Sequence, residues 1–165
     1  MQTEEERFLQ LIEQHKGLII RICNIYCSYK SEREDLYQEI VYALWKGRST
    51  FNPAFKFSTW MYRVGLNVAI SFYRAAQKNI NRSIIYSNKV IDIEDKWDLQ
   101  MDEQSRVLHQ EILKLKELDK ALILLYLEDR TYKEIADIIG ITETNVATKL
   151  SRIKEKLKKN INPVN

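Results

Sequence analysis

The sequence predicts an all-α protein made of two small helical domains joined by a linker. Three observations carry that expectation. Glycine and proline number 4 and 2 in 165 residues, so few positions stop a helix. Apolar residues recur at intervals of three and four over long stretches, the period of a helix with one buried face. Between residues 78 and 104 this periodicity fades, which divides the chain into domains at 4–77 and 105–160 with a linker at 78–104. Hydrophobic residues make up 45% of the chain, enough apolar material for a core.

From Glu4 to Tyr29, Phe8, Leu11, Ile12, Leu18, Ile19, Ile22, Ile25, Tyr26 and Tyr29 form a stripe on one interrupted helix or two, with the break expected at Gly17. Ser31 and Glu34 have capping-box spacing and should open a helix over DLYQEIVYALWKG, Asp35–Gly47. Leu36, Ile40 and Leu44 would turn inward. Asp35, Gln38 and Glu39 would turn outward, with Trp45 near them. Such a face is plain surface or a docking face, and the residues alone favour neither. Arg48–Phe57 reads as a loop, because Asn52-Pro53 is a turn signal and proline disfavours helix at the residue before it. The next helix should run from about Ser58 to Gln77. Trp60, Tyr62, Arg63, Asn67, Phe72, Tyr73 and Arg74 interleave rings, amides and positive charge along it. Half of those rings must be core; the rest suits unstacked bases, which take flat rings and guanidinium groups.

The linker starts basic and turns acidic through Asp92, Glu94, Asp95, Asp98, Asp102 and Glu103. Ile84, Ile85, Val90, Ile91, Ile93 and Trp97 make it too apolar for a free tether. Helix signals return from Ser105 through Leu108, Ile112, Leu115 and Leu118. The stretch Thr131–Lys156 then reads as two helices and a tight turn. Thr131 and Glu134 form a capping box, Gly140 takes the left-handed stop, and Thr142 caps the second helix. Ile135, Ala136, Ile138 and Ile139 line one face of the first helix. Val146, Leu150, Ile153 and Leu157 line one face of the second and leave Thr144, Asn145, Thr148, Lys149 and Arg152 outward. That is the pattern of a helix-turn-helix whose second helix enters the major groove. The bland alternative is a helical hairpin with a solvated face.

Several function classes drop out. No phosphate-cradling glycine loop, zinc spacing or paired His-carboxylate motif is present, so neither catalysis, nor a metal, nor a cofactor is expected. Cys23 and Cys27 read as buried free thiols, and His15 and His109 as ordinary surface or core. The acidic start MQTEEERF is no signal peptide, and no apolar run spans a bilayer, so a cytoplasmic location without membrane insertion is expected. The net charge of +3 is small, but the tail from Lys149 is strongly basic.

Taken in order, the stretches Asp35–Gly47, Phe55–Arg74 and Leu127–Leu157 resemble a bacterial RNA polymerase sigma factor of the extracytoplasmic-function (ECF) type, sigma-70 family, with only the second and fourth sigma domains. The resemblance covers nearly the whole chain. It implies two partners, core RNA polymerase and promoter DNA in duplex and single-stranded form, and leaves room for an anti-sigma factor. It implies that Asp35, Gln38, Glu39 and Trp45 dock core polymerase. It implies that Arg48, Thr50, Phe51, Asn52, Phe55, Lys56, Trp60, Arg63 and Asn67 hold the melted strand of the minus-ten element. It gives the minus-thirty-five duplex to Thr144, Asn145, Thr148, Lys149 and Arg152, and the polymerase's RNA exit path to the linker. Two departures from the family pattern stand out. The stretch KLKELDKALILL lacks the usual proline, so its helix is expected to run on. Ala147 replaces a frequent lysine, so it makes no phosphate contact. The competing reading is a free-standing helix-turn-helix regulator on an operator. It would leave the acidic helix and the ring-rich loop without a purpose.

Overall fold

The structure, a computed structural model, describes residues 1–83 and 101–162, the last five of the first segment by their backbone alone. All regular structure among the described residues is helical.

Helix α1 (Glu4–Gln14) starts on a capping box: the amide of Glu6 donates to Thr3 Oγ1 at 3.1 Å, and the amide of Thr3 to Glu6 Oε2 at 3.0 Å. Helix α2 (Lys16–Tyr26) follows at once. The break falls at His15, not at the expected Gly17, which lies inside α2. His15 Nδ1 lies 2.8 Å from the Leu11 carbonyl, a local bond that competes with the helical ladder there. Helix α3 (Lys30–Lys46) begins five residues before the expected Asp35. Its cap residue is Tyr29, and Ser31 lies within the helix and does not cap it. Gly47 ends it as expected. A short 3₁₀ turn (Arg48–Thr50) opens the loop, and the Asn52 side chain accepts the amide of Ala54, closing the Asn-Pro turn.

Helix α4 (Phe57–Ser83) outruns its expected end at Gln77. Nothing from Lys78 to Ser83 is a glycine or a proline, so the ladder continues. Helix α5 (Glu103–Leu113) is capped by Asp102, whose carboxylate accepts the Ser105 amide at 2.7 Å. Both ends of the expected linker are therefore helical or capping. The apolar positions Ile84–Trp97 and the acidic run Asp92–Asp98 lie outside the described residues.

Helix α6 (Glu117–Leu127) is separated from α5 by a break at residues 114–116, although no proline stands there. The expectation of a continuous helix fails because the Leu115 amide bonds Ile112 in a tightened last turn, and Lys116 adopts extended backbone. Asp129 takes a left-handed φ of 58° after α6, and the Arg130 amide closes back on the Leu125 carbonyl. Aspartate tolerates this conformation better than bulkier residues do. Helices α7 (Tyr132–Ile139) and α8 (Glu143–Ile161) form the helix-turn-helix, with Thr131 and Thr142 as caps and Gly140 at φ 83°. Gly140 and Thr142 act as the sequence predicts; Thr131 caps α7 by accepting the Glu134 amide at 3.1 Å, but the Glu134 carboxylate accepts the Thr131 hydroxyl at 3.3 Å and the expected capping box is only half formed.

Helices α2, α3 and α4 form one bundle, and α5–α8 a second. Gly65 permits the tightest approach in the first: a Cβ there would meet Ile22 Cδ1 at 2.9 Å. The two bundles then pack on each other, α5 and α6 on α2, and α6 and α7 on α4. Their buried side chains make one continuous apolar cluster.

Candidate nucleic-acid interface

The face of α8 opposite its core is open to water. Val146, Leu150, Ile153 and Leu157 are buried, while Thr144, Asn145, Thr148 and Arg152 are exposed and Lys149 is half-buried. Thr142 Oγ1 accepts the Asn145 amide at 3.1 Å, so the cap is supplied by Thr142 and the Asn145 side chain is not needed for it. Thr148 donates its hydroxyl to the Thr144 carbonyl at 3.0 Å, which fixes its rotamer. The dipole of α8 adds positive potential at the end that carries these side chains.

The strip from Arg48 to Asn67 differs. Thr50, Asn52, Phe55, Lys56, Arg63 and Asn67 are exposed; Arg48, Phe51 and Trp60 are half-buried. Phe51 and Trp60 stand 5.4 Å apart, and both contact Phe57. From α1, Phe8 enters the same group, with ring centroids 5.7 Å from Phe57 and 5.8 Å from Trp60. The rings of Phe51 and Trp60 are thus anchored on one side and open on the other. Phe55, at 66% exposure, is the ring most open to solvent in the strip. Tyr62, read from the sequence among the interleaved rings, is buried under the Arg130 guanidinium at 5.0 Å. Burial raises its phenol pKa.

On α3, Asp35, Gln38 and Glu39 are exposed together as expected, and with Tyr42 and Phe72 they line one shallow cavity. Trp45 does not join them. Its ring lies 6.2 Å from Phe8 and under the Arg48 guanidinium at 4.1 Å. The exposed ring of this face is Tyr42, at 65% exposure. Helical geometry explains the difference: seven residues return to within about 20° of Asp35, whereas ten land about 80° away. Spacing alone would have singled out Tyr42.

Residues 11–79 match the family Sigma-70 region 2, and residues 105–157 match Sigma-70, region 4. The RNA polymerase sigma factor YlaC of Bacillus subtilis (strain 168) is 30% identical over 78% of this chain and 76% of its own. The chain belongs to the RNA polymerase sigma factors. Its type is ECF: the ECF RNA polymerase sigma factor SigW of the same organism is 27% identical over 96% of this chain and 90% of its own. Two solved structures share the fold. The sigma factor RpoE of Bartonella quintana, in complex with the anti-sigma factor NepR, superposes with a TM-score of 0.72 at 15% identity, over 97% of this chain and 99% of the other. CnrH, in complex with the cytosolic domain of CnrY, gives 0.57 at 21% identity, over 92% and 84%. YlaC, SigW and RpoE each carry the name of a sigma factor. Among the described residues of this sigma factor, no helix is long and apolar enough to cross a membrane, and no cluster of three or more His, Cys, Asp or Glu residues fits a metal.

Proposed function

We propose that this sigma factor divides promoter recognition between its two halves, with residues 4–77 serving the melted minus-ten element and residues 105–160 the duplex minus-thirty-five element. One observation carries the division: α8 is a capped helix that presents a largely exposed polar face, as groove reading needs, while the Arg48–Asn67 strip offers half-anchored rings beside cations, as unstacked bases need. Melting costs stacking energy, so a protein favours it only by holding the unstacked form better than the duplex.

In this reading Arg48, Thr50, Phe51, Asn52, Phe55, Lys56, Trp60, Arg63 and Asn67 hold the strand. Thr144, Asn145, Thr148, Lys149 and Arg152 meet the duplex. Core polymerase docks on Asp35, Gln38 and Glu39, with Tyr42 taking the aromatic role first given to Trp45. The chain supplies no chemistry of its own, acts in the cytoplasm and binds core polymerase and promoter DNA. The complex of RpoE with the anti-sigma factor NepR supports an anti-sigma partner for this chain as well.

Transcription from a genomic DNA pool, with and without added core polymerase, tests the whole reading. Start sites sharing two spaced sequence elements, seen only when both proteins are present, are the expected result. Tight operator binding by the chain alone, with no polymerase dependence, would move it to the free-standing regulators.

A further inference from the structure

Neither DNA surface uses the cleft between α2 and α3. Its volume is about 390 Å³, within the range of small-ligand sites. Ile20, Cys23 and Asn24 line it from α2, and Lys30, Arg33, Glu34, Tyr37 and Gln38 from the first turns of α3. Cys23 and Asn24 are buried and Tyr37 is half-buried, whereas Ile20 keeps 42% of its surface exposed. An apolar group seated in the cleft would cover Ile20 and gain from the area removed from water.

Asn24 is the residue that marks the cleft as a site. It is 7% exposed and faces the cleft, and its side-chain amide makes no hydrogen bond among the described residues. Buried amides are nearly always paired, because an unpaired one costs the desolvation of its donors and acceptor. Asparagine is also a poor helix former, yet it stands well inside α2. Breaking two local rules at one position is what a residue kept for a ligand does.

The charges of the cleft select the ligand. Lys30 is exposed, and its ammonium has no ion pair among the described residues. Arg33 donates to the Ser28 carbonyl at 3.1 Å, which holds its charge beside the cleft. Glu34 offsets one of the two cations, so an anion of single charge fits best. Tyr29 gives α3 no side-chain cap, and the helix dipole adds positive potential at the same end. We propose that the cleft binds a small monocarboxylate with a flat or branched apolar body. The body lies against Ile20, Cys23 and Tyr37, Lys30 meets the charge, and Asn24 donates its amide N–H to the acid. Gln38 lines both this cleft and the cavity of Asp35, Glu39 and Tyr42. A bound acid that engages Gln38 therefore weakens capture of core polymerase, a consequence that rests on the docking reading of that face.

The full chain is titrated with phenylacetate, with 3-methylbutanoate and with the neutral amide of each. Nuclear magnetic resonance follows the Asn24 side-chain amide in the wild type and the backbone amides of α2 and α3 in every variant. Millimolar affinity is the scale for probes of so few atoms. At least one acid should shift these resonances saturably, and its amide should bind about threefold more weakly. Lys30→Gln should weaken the acid by a similar factor and leave the amide unchanged. Asn24→Leu should weaken the acid about tenfold while holding or raising the melting temperature, because it removes an unpaired amide and a poor helix former. Core polymerase pull-down is run with and without the acid at saturation.

No saturable shift with either acid overturns the proposal. Acid binding that is unchanged in Asn24→Leu or in Lys30→Gln overturns it as well, and so does an amide that binds as tightly as its acid. Lys30 is exposed, so its substitution tests the site even where Asn24→Leu does not fold. Capture that ignores the acid but falls with Asp35→Lys and Glu39→Lys overturns the link to docking and leaves the ligand site standing. Capture that ignores both changes overturns the docking reading and leaves the site standing too.

Discussion

The Arg48–Asn67 strip and the outer face of α8 are both proposed to meet DNA, yet they are built in opposite ways. The α8 face is a row of side chains on a helix whose apolar side is buried; apart from the half-buried Lys149, its outward residues are exposed and tied at most to their own helix. The strip is a shared object. Phe8, Phe51, Phe57 and Trp60 come from three segments and hold one another, and Arg63 is tied to the other half of the molecule. Substitutions on α8 should therefore act locally and separately, whereas substitutions in the strip should spread through stability and folding. Duplex presents a regular groove that a preformed helix can read. A melted strand has no fixed shape, so its binder must supply the order itself.

The sharpest way to break that contrast is Phe8→Ala. Phe8 is 8% exposed and touches no proposed DNA contact except Trp60. Truncating a buried ring costs about 3–5 kcal/mol. We expect chemical denaturation to show a loss of that order, together with weakened single-strand binding. A loss below about 1 kcal/mol would mean that the ring cluster is not a structural unit.

Next in size is Asn145→Ala. Because the cap comes from Thr142, this change should leave thermal stability nearly untouched and alter preference at one or two positions of the upstream element, at about 1–3 kcal/mol on the preferred sequence. Selection from a randomised element would show an unchanged preference if Asn145 does not read a base.

The buried Lys120 gives a pH dependence that neither DNA surface shares. Burial lowers its pKa from 10.5 to about 8, against weaker raising effects of Cys27 and Glu117. Tyr26 and Tyr73 face it from the other elements. Between those two pKa values the unfolded chain binds a proton that the folded chain has released, so stability rises with pH there. Burial also pushes the Cys23 and Cys27 thiols up to about 12 and raises the Tyr26 phenol. These groups act the other way above their ordinary values, near pH 9 and pH 10, because the folded chain then keeps the proton longer. The window from pH 8 to 9 isolates the lysine. We expect denaturation midpoints to rise across it by less than about 1.4 kcal/mol per pH unit, and the rise to vanish in Lys120→Met. A rise that persists in Lys120→Met would assign the effect to another group.

Thr142→Ala should cost about 1 kcal/mol by removing the cap, with no change in sequence preference. The smallest effects belong to the exposed positions. Asp35→Lys with Glu39→Lys should change stability by no more than about 0.5 kcal/mol, and Tyr42→Ala likewise, while each weakens capture of core polymerase in a pull-down. Unimpaired capture by both would remove this face of α3 from the docking site.

Where the signal was local, the sequence carried it. Thr131, Gly140 and Thr142 act within one turn of themselves, and the 3.6 period of Val146, Leu150 and Ile153 fixes the outward face of α8 without help from the rest of the chain. The misreadings have local causes too. His15 competes with Gly17 for the break by a bond that no spacing rule encodes, and Tyr29 starts α3 without any side-chain cap. Tyr42 was available from the same helical period that identified Asp35 and Glu39.

The sequence by itself determined the all-helical class, the helix-turn-helix and the polar residues that α8 presents, because hydrogen-bond caps and apolar periodicity operate between residues three or four apart. Only the tertiary structure decided that Trp45 lies beside Phe8, that Tyr62 lies under Arg130, that Lys120 is buried between two tyrosines and that Arg63 reaches Asp137. Those contacts join residues up to about a hundred positions apart. Their formation depends on how two apolar faces settle on one another, a choice made by shape and desolvation over the whole interface, and no short window of sequence contains it.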